Sequence, residues 1–478
     1  MDDQLDKPQS NCGIVAVFGQ EDASISAYQA LYALQHRGQE SSGIVTSDGR
    51  NVYRHVGLGL VNNAFPNLRI IESLKGKISI GHNRYSTTGS NMLTNVQPFL
   101  VNFREGPLAI SHNGNFVNTG VIREQLVEEG AIFQTTSDTE VVLHLMARSR
   151  ESQVALKIKE ALGIIQGSYS LALATRDKIY GVRDPRGWRP LCLGKKEDAY
   201  FIVSETCALD LIGAEYIREV QPGEILEVSD SGLKSYWLAE KAERRACIFE
   251  HVYFSRPDSK IFDENVDRAR RKLGKNLAEE HPADADIVIS VPDSSNTAAL
   301  GYATRSGIRF EIGLIRNHYV GRTFIHPEQS ARDFNVRVKF NVVEGVLKGR
   351  RVVVVDDSIV RGTTIKHLTK MIRRAGAREV HLRVSSPPIT WPCYYGMDFP
   401  TKDELIASKQ TVEEIRADLG VDSLGYLSLT GMINAVSEEG GFCTACFTGN
   451  YPLRPEKGAT NKLQYEKKID LENYQPAG

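Results

Sequence analysis

The chain has 478 residues, with 58 Lys and Arg against 59 Asp and Glu for a formal net charge of −1, 41% hydrophobic residues and 24% charged residues. That balance suits a globular chain of about two to four domains, each able to bury a core without staples. It excludes an overall basic field for duplex nucleic acid, and no stretch approaches the ~18 uninterrupted apolar residues of a membrane helix, so neither a nucleic-acid nor a membrane role is expected and an anionic ligand must be held by a local site.

In chain order, the leader MDDQLDKPQSN is polar throughout. It has neither a secretory apolar run nor the Arg-rich pattern of a transit peptide, and residues 1–11 read as a propeptide. Cleavage between Asn11 and Cys12 would place a thiol and a free α-amine on one residue, a nucleophile with its own base. The alternative is a disordered terminus beside a strand cysteine packed as a small hydrophobe. From Cys12 to about residue 238, the runs GIVAVFG, KISIGHN, LAISHNGNF, SYSLALAT, IYGVRD, YFIVSET and GEILEVS alternate in the manner of strands. Two helices are expected among them: SISAYQALYALQHRG, with Ala27, Leu31 and Leu34 on one face, and TSDTEVVLHLMARSR, opened by a Ser137–Glu140 capping box. Many strands with few helices predict a layered α+β domain.

The segment LAEKAERRA is charged and reads as a helical linker. Beyond it, residues 247–455 change to strand-loop-helix units, ADIVISVPDSSNTAALGYATRSG and GRRVVVVDDSIVRGTTIKHLTKMIRRAGAREVHLRVSSP, which predict an α/β domain with a parallel sheet. Val352 to Val355 should form a central strand buried on both faces. The helix that follows carries Ile365, Leu368 and Ile372 on one stripe and stops at Gly376. Asp356 and Asp357 fall at the carboxyl edge of that strand, where open α/β sheets bind ligands, and adjacent acids suit a diol. Ser358 to Thr364 bring small side chains, a glycine and hydroxyls to a helix N-terminus that can cradle a phosphate. The loop VPDSSN puts Ser294 at the same edge. The basic stretch GRTFIHPEQSARDFNVRVKFN is either a solvated loop or a lid, with Arg332, Arg337 and Lys339 as candidates. Residues 456–478 form a charged tail.

VVVVDDSIVRGTT resembles the phosphoribosylpyrophosphate-binding motif of the type I phosphoribosyltransferases. The resemblance implies that Asp356 and Asp357 contact the ribose hydroxyls and, with Ser294, help place Mg²⁺, while Ser358, Arg361, Gly362, Thr363 and Thr364 hold the 5′-phosphate. Mg²⁺ is also expected because a pyrophosphate leaving group needs a hard cation. In the first half, Arg84 can pair an α-carboxylate and Asp138 an α-ammonium, and Asn113 and Gly114 can serve a developing oxyanion. Taken with CGIVAVFG and LQHRGQESSG, these resemble the N-terminal-nucleophile glutamine amidotransferases, an αββα fold in which Cys12 would be catalytic. The two halves together resemble the amidophosphoribosyltransferase family. That resemblance implies glutamine-dependent formation of phosphoribosylamine in purine synthesis, purine nucleotides as feedback inhibitors, a homo-oligomer (a tetramer) and a cytoplasmic location. Free ammonia would mostly protonate in water, so a shielded path for it is physically sensible.

The seven cysteines, an odd number without a secretory leader, point to reduced thiols kept for metal or catalysis. Cys443 and Cys446 form a C-x-x-C shared by zinc, redox and cluster sites. Cys247 and Cys393 bring the set to four, the number of a closed tetrathiolate, and spacing alone does not choose zinc over iron–sulfur. One subgroup of the resembled family pairs a propeptide with a [4Fe–4S] cluster in these contexts, which implies that cluster here. Cys192 and Cys207 read as packed thiols. Glutaminase units also feed sugar isomerases and asparagine-forming synthetases, but those need a different second half. A non-catalytic phosphoribosylpyrophosphate sensor would not need Cys12, Arg84, Asn113 and Asp138 together.

Overall fold

The structure, a computed structural model, describes residues 12–85, 92–238, 242–317, 339–397, 401–436 and 441–454. Residues 1–11, the tail after 454, and Arg332 and Arg337 lie outside them. Among the described residues the chain divides into two compact units. One holds residues 12–244 with Tyr394–Gly396 and residues 453–454; the other holds residues 245–393 and 397–452.

In the first unit the strand Gly13–Phe18 occupies the middle of a seven-stranded antiparallel sheet, between Ala199–Val203 and Ile78–Arg84. A six-stranded antiparallel sheet includes Gly106–Phe116, Gly167–Ala174 and Ile179–Arg183. Alternation explains the layering. Ile14, Ala16 and Phe18 join Ile80, Ala172 and Leu226 in a core contributed by both sheets, whereas Val15 and Val17 pack with the helices Ala23–Ala33 and Thr206–Ile212. On the other sheet, Ile110, Leu171 and Val182 pack with Thr139–Arg148 and Val154–Ile164. The result is the αββα sandwich expected from the sequence.

Local readings need four corrections. More helices are present than the expected two, including Thr119–Glu128, Val154–Ile164 and Thr206–Ile212. Strands such as Ser41–Ser47 are built from SSGIVTS, whose hydroxyl residues are buried, so polarity concealed them. The Ser137–Glu140 capping box does not form: Glu140 turns back to accept Gln134 N–H and Thr135 N–H, each at 2.8 Å, and the N-cap position falls to Asp138. Among the described residues the linker is not helical, because residues 242–245 are irregular up to the short strand Ala246–Cys247; its like-charged neighbours and short length give a helix little to bury.

The second unit is built on a four-stranded parallel sheet in the order Ile287–Ser290, Arg351–Asp356, Glu379–Val384, Ser423–Tyr426. Arg351–Asp356 is interior, as the valine run predicts: Val353 and Val355 enter one core and Val352 and Val354 the other. The helix Thr363–Arg374 turns Ile365, Leu368 and Ile372 into the second of these. Across the first, the helices Val266–Glu280 and Asn296–Ser306 touch backbone to backbone. A Cβ on Gly274 would stand 1.8 Å from the Ala298 carbonyl oxygen, and one on Gly301 would stand 2.1 Å from that of Arg271. Gly274→Ala should therefore push the pair apart and cost about 1–3 kcal/mol, read as a lower thermal midpoint by circular dichroism.

Candidate functional site

Cys12 stands at the head of the central strand of the first unit and is 8% exposed. Its thiol donates to the Tyr85 carbonyl at 3.4 Å and accepts Tyr85 N–H at 3.5 Å. Burial pushes the thiol up to about 11; the Tyr85 backbone and the Arg84 charge oppose that shift, while Glu40 and Asp138 add to it. Near neutral pH the sulfur is protonated, and a base must take its proton before it can attack.

Arg84 ends the adjacent strand, buried, with its guanidinium 4.0 Å from the Glu40 carboxylate. Asn113 and Gly114 lie near the end of Gly106–Phe116 in the facing sheet. Asn113 is fully buried, and neither its Oδ1 nor its Nδ2 has a hydrogen-bond partner among the described residues. A buried amide left open in this way is expensive unless a ligand completes it. Gly114 is glycine for want of space, since a Cβ there would lie 2.0 Å from the Ser168 carbonyl oxygen. Asp138 accepts Phe116 N–H at 3.0 Å and the Thr139 hydroxyl at 3.2 Å, with His112 Nδ1 at 3.6 Å. Burial works to raise its pKa, but the His112 imidazole and these hydrogen bonds outweigh burial and hold the carboxyl below its ordinary value. The Arg84 and Asp138 charges act on Cys12, and Asn113 and Gly114 lie on the strand whose Phe116 N–H bonds Asp138. The sheets are tied there by His82, whose Nε2 meets the His112 carbonyl at 3.0 Å. Glu40 was not singled out, since an acid in a polar loop carries no periodic signal.

In the second unit Asp356 closes the central strand, and both acids are buried. Asp356 accepts the Ser295 hydroxyl at 3.0 Å, and Asp357 accepts those of Ser295 at 3.2 Å, Ser358 at 2.7 Å and Ser294. The loop VPDSSN therefore meets the paired acids as anticipated, and Ser295, absent from the sequence reading, binds both. Gly362 has φ +80° and its Cβ would meet Ile406 at 2.9 Å, so the cradle turns there into the helix that starts at Thr363. Arg361 points to Glu404, at 2.6 and 3.0 Å, in an exposed pair that a phosphate could displace at little cost. Lys339 leads into the strand Phe340–Val342, and its carbonyl accepts Asn317 N–H at 2.8 Å.

The four cysteines also converge. Cys247 and Cys443 are register partners in a short parallel pair, and the Cys446 carbonyl accepts Thr390 N–H at 3.1 Å and Trp391 N–H at 3.0 Å, beside Cys393. Burial pushes the Cys446 thiol up, and the charges of Cys393, Cys443 and Cys247 push it the same way. Among the described residues no three or more His, Cys, Asp or Glu are already arranged as a metal-binding group. Cys192 and Cys207 are buried in the core of the first unit.

A glutamine amidotransferase unit and a phosphoribosyltransferase-type unit with a parallel sheet, carried on one chain, are the class this fold defines. Residues 82–210 match the glutamine amidotransferase domain family. The chain is 51% identical over 457 residues to amidophosphoribosyltransferase 2 of Arabidopsis thaliana, a chloroplastic protein, covering 95% of this chain and 81% of that one. It is 48% identical over 447 residues to the amidophosphoribosyltransferase of Bacillus subtilis, covering 92% and 94%. The solved B. subtilis glutamine phosphoribosylpyrophosphate amidotransferase, complexed with ADP and GMP, superposes with a TM-score of 0.89 at 47% identity over 94% of this chain and 98% of that one. The chain belongs to the amidophosphoribosyltransferase family.

His82 supplies a pH test of the tie between the sheets. Burial lowers its pKa to about 3, with the Arg84 and His112 charges adding to that shift and the bond to the His112 carbonyl opposing it. A depressed folded pKa means stability that is present above the unfolded value near 6.5 and is lost as pH falls toward 3, because the unfolded chain takes the proton first. Wild type should lose on the order of a few kcal/mol over that range from this group, and His82→Gln should flatten the loss in denaturant melts at pH 7, 5 and 4.

Proposed function

We propose that this protein releases ammonia from glutamine and transfers it to phosphoribosylpyrophosphate, giving 5-phosphoribosylamine, glutamate and pyrophosphate, the first committed step of purine synthesis. The observation that carries the reading is one chain holding a buried strand-head thiol among Arg84, Asn113 and Asp138, and a separate paired-acid loop opening onto a helix N-terminus.

In this mechanism residues 1–11 are removed and the freed α-amine of Cys12 is the base. Its ordinary pKa of about 7.7–8.0 leaves a substantial neutral fraction at pH 7, which a lysine near 10.4 would lack. The amine takes the thiol proton, and sulfur attacks the side-chain amide carbon of glutamine. The Asn113 side-chain amide and the Gly114 N–H stabilise the oxyanion. The proton passes to the departing nitrogen, ammonia leaves, and water hydrolyses the thioester to glutamate. Arg84 pairs the α-carboxylate, and Asp138, held ionised, takes the α-ammonium.

In the other unit Asp356 and Asp357 bind the ribose hydroxyls, and Ser358, Arg361, Gly362, Thr363 and Thr364 hold the 5′-phosphate at the helix N-terminus. Ammonia displaces pyrophosphate at C1. Asp356, Asp357 and Ser294 offer hard oxygen donors that fit Mg²⁺, which supplies charge neutralisation for the leaving pyrophosphate. Cys247, Cys393, Cys443 and Cys446 fit a [4Fe–4S] cluster with a structural or regulatory role, a reading supported by their convergence around Cys446. Purine nucleotides as inhibitors are supported by the ADP and GMP of the B. subtilis relative. A tetramer and a cytoplasmic location complete the reading; among the described residues no helix is long and apolar enough to cross a membrane.

Purified protein given both substrates should yield glutamate and pyrophosphate, and its intact mass should begin at Cys12. Cys12→Ala should reduce glutamine-driven synthesis to background while the ammonium-driven reaction at alkaline pH survives. Asp357→Asn should abolish synthesis from either nitrogen source, and survival of either would remove the paired acids from the reaction. Anaerobically purified protein should carry about four iron and four acid-labile sulfide per chain; zinc without sulfide would overturn the cluster.

A further inference from the structure

Against the Cys12 backbone lies a buried charge pair that the mechanism above does not use. Arg37 is fully buried, and its Nε–H donates to the Cys12 carbonyl oxygen at 3.2 Å. Its NH1 is bonded to Oε1 of Glu205, which is also fully buried. His36 meets the same carboxylate oxygen through Nε2 at 2.8 Å, and its Nδ1 faces the Ala33 carbonyl at 3.2 Å. The Cys207 thiol lies 3.8 Å from the other oxygen, Oε2. The neighbouring Ser204 clamps the same strand, its hydroxyl accepting Ile14 N–H at 3.0 Å and its own N–H donating to the Ile14 carbonyl at 3.1 Å. Gly13 completes the fit, because a Cβ there would stand 3.0 Å from Leu34 Cβ.

A buried ion pair is costly to desolvate and is weak evidence for stability in itself. Here the Nε–H of the guanidinium is directed at the carbonyl of the residue that carries the thiol. We propose that Glu205 and Arg37 are positioning residues for the glutaminase reaction: the carboxylate fixes the guanidinium, and the guanidinium holds the Cys12 carbonyl so that the thiol and α-amine of that residue keep one orientation toward the amide carbon. The proposal rests on the reading of Cys12 as nucleophile. Orientation of this kind acts on turnover more than on binding, since none of these side chains is among those assigned to glutamine.

The pair also sets the local charge. Among the described residues, the charged and titratable groups around Cys12 include Arg84, Glu40 and Asp138, and Arg37 with Glu205 and His36. Removing the Glu205 charge leaves the Arg37 cation less compensated beside the Cys12 backbone, which disfavours a protonated α-amine. The acid limb of the glutamine-driven kcat profile should then move to lower pH, a change that a purely structural role for Glu205 would not produce.

The test uses Glu205→Gln in the full-length processed enzyme, with ammonium-driven synthesis in the same preparation as the control for folding. Glutamine-driven kcat should fall about tenfold or more with KM for glutamine within about twofold, and the acid limb should move down by about half a pH unit or more. Labelling of Cys12 by an electrophilic glutamine analogue should slow in parallel, and Glu205→Asp should recover part of both rates. Wild-type kcat and an unmoved acid limb in Glu205→Gln would overturn the proposal, as would a loss confined to KM. If wild type itself takes no label at Cys12, the nucleophile reading fails instead. If Glu205→Gln loses ammonium-driven synthesis too, Arg37→Lys takes its place with the same expected split, and loss of both activities in both variants would overturn the positioning role.

Discussion

Each candidate site stands at the end of a strand with no exposed face. Every residue of Gly13–Phe18 is buried, with alternate side chains committed to the inter-sheet core and to the helical layer. The valines of Arg351–Asp356 divide between two cores in the same way. A one-residue slip would exchange those commitments, and close-packed interiors do not absorb such an exchange. Register is thereby locked, and with it the point at which the backbone leaves the sheet. Cys12 and the Asp356–Asp357 pair inherit their positions from that constraint.

The two sites handle buried polarity differently. Around Cys12, Arg84 lies near Glu40 and Arg37 on Glu205, while Asp138 faces the His112 imidazole. Pairing keeps such groups tolerable out of water, and among the described residues Asn113 stands as a buried amide without a partner, in keeping with the proposed oxyanion contact. Around Asp356 and Asp357 the partners include the neutral hydroxyls of Ser294, Ser295 and Ser358. Hydroxyl rotors satisfy the acids without cancelling their charge. That arrangement keeps the carboxylates available to a cation and a diol, in keeping with the proposed Mg²⁺ and ribose contacts.

Long-range contacts account for what pattern reading passed over. SSGIVTS was not among the runs read as strands, because its hydroxyls obscure alternation, yet it pairs along its whole length with strands on both sides. Glu140 had the spacing of a capping box and took the backbone of residues 134 and 135 instead. Tyr394–Gly396, which sequence order assigned to the second half, belongs to the first unit. There Tyr395 stacks on Trp188 with ring centroids 4.6 Å apart, and Asn115 donates to the Tyr394 carbonyl at 3.1 Å. Glu205 ended an unremarkable strand run, and nothing local marks it as the partner of Arg37, 168 positions away.

The sequence by itself determined the two grammars of the chain, the valine strand with its acids and glycine, and the residue types able to serve an amide and a phosphate, because periodicity, turn residues and short motifs are written in local order. Only the tertiary structure decided which of those groups meet. Cys247 and Cys443 become neighbours through a parallel pairing of two short strands, Ser295 reaches both acids from another loop, and the Arg37–Glu205 pair closes against the Cys12 backbone. The reason is physical: a hydrogen bond or buried ion pair between distant positions depends on packing that brings them together, and no local propensity encodes its partner.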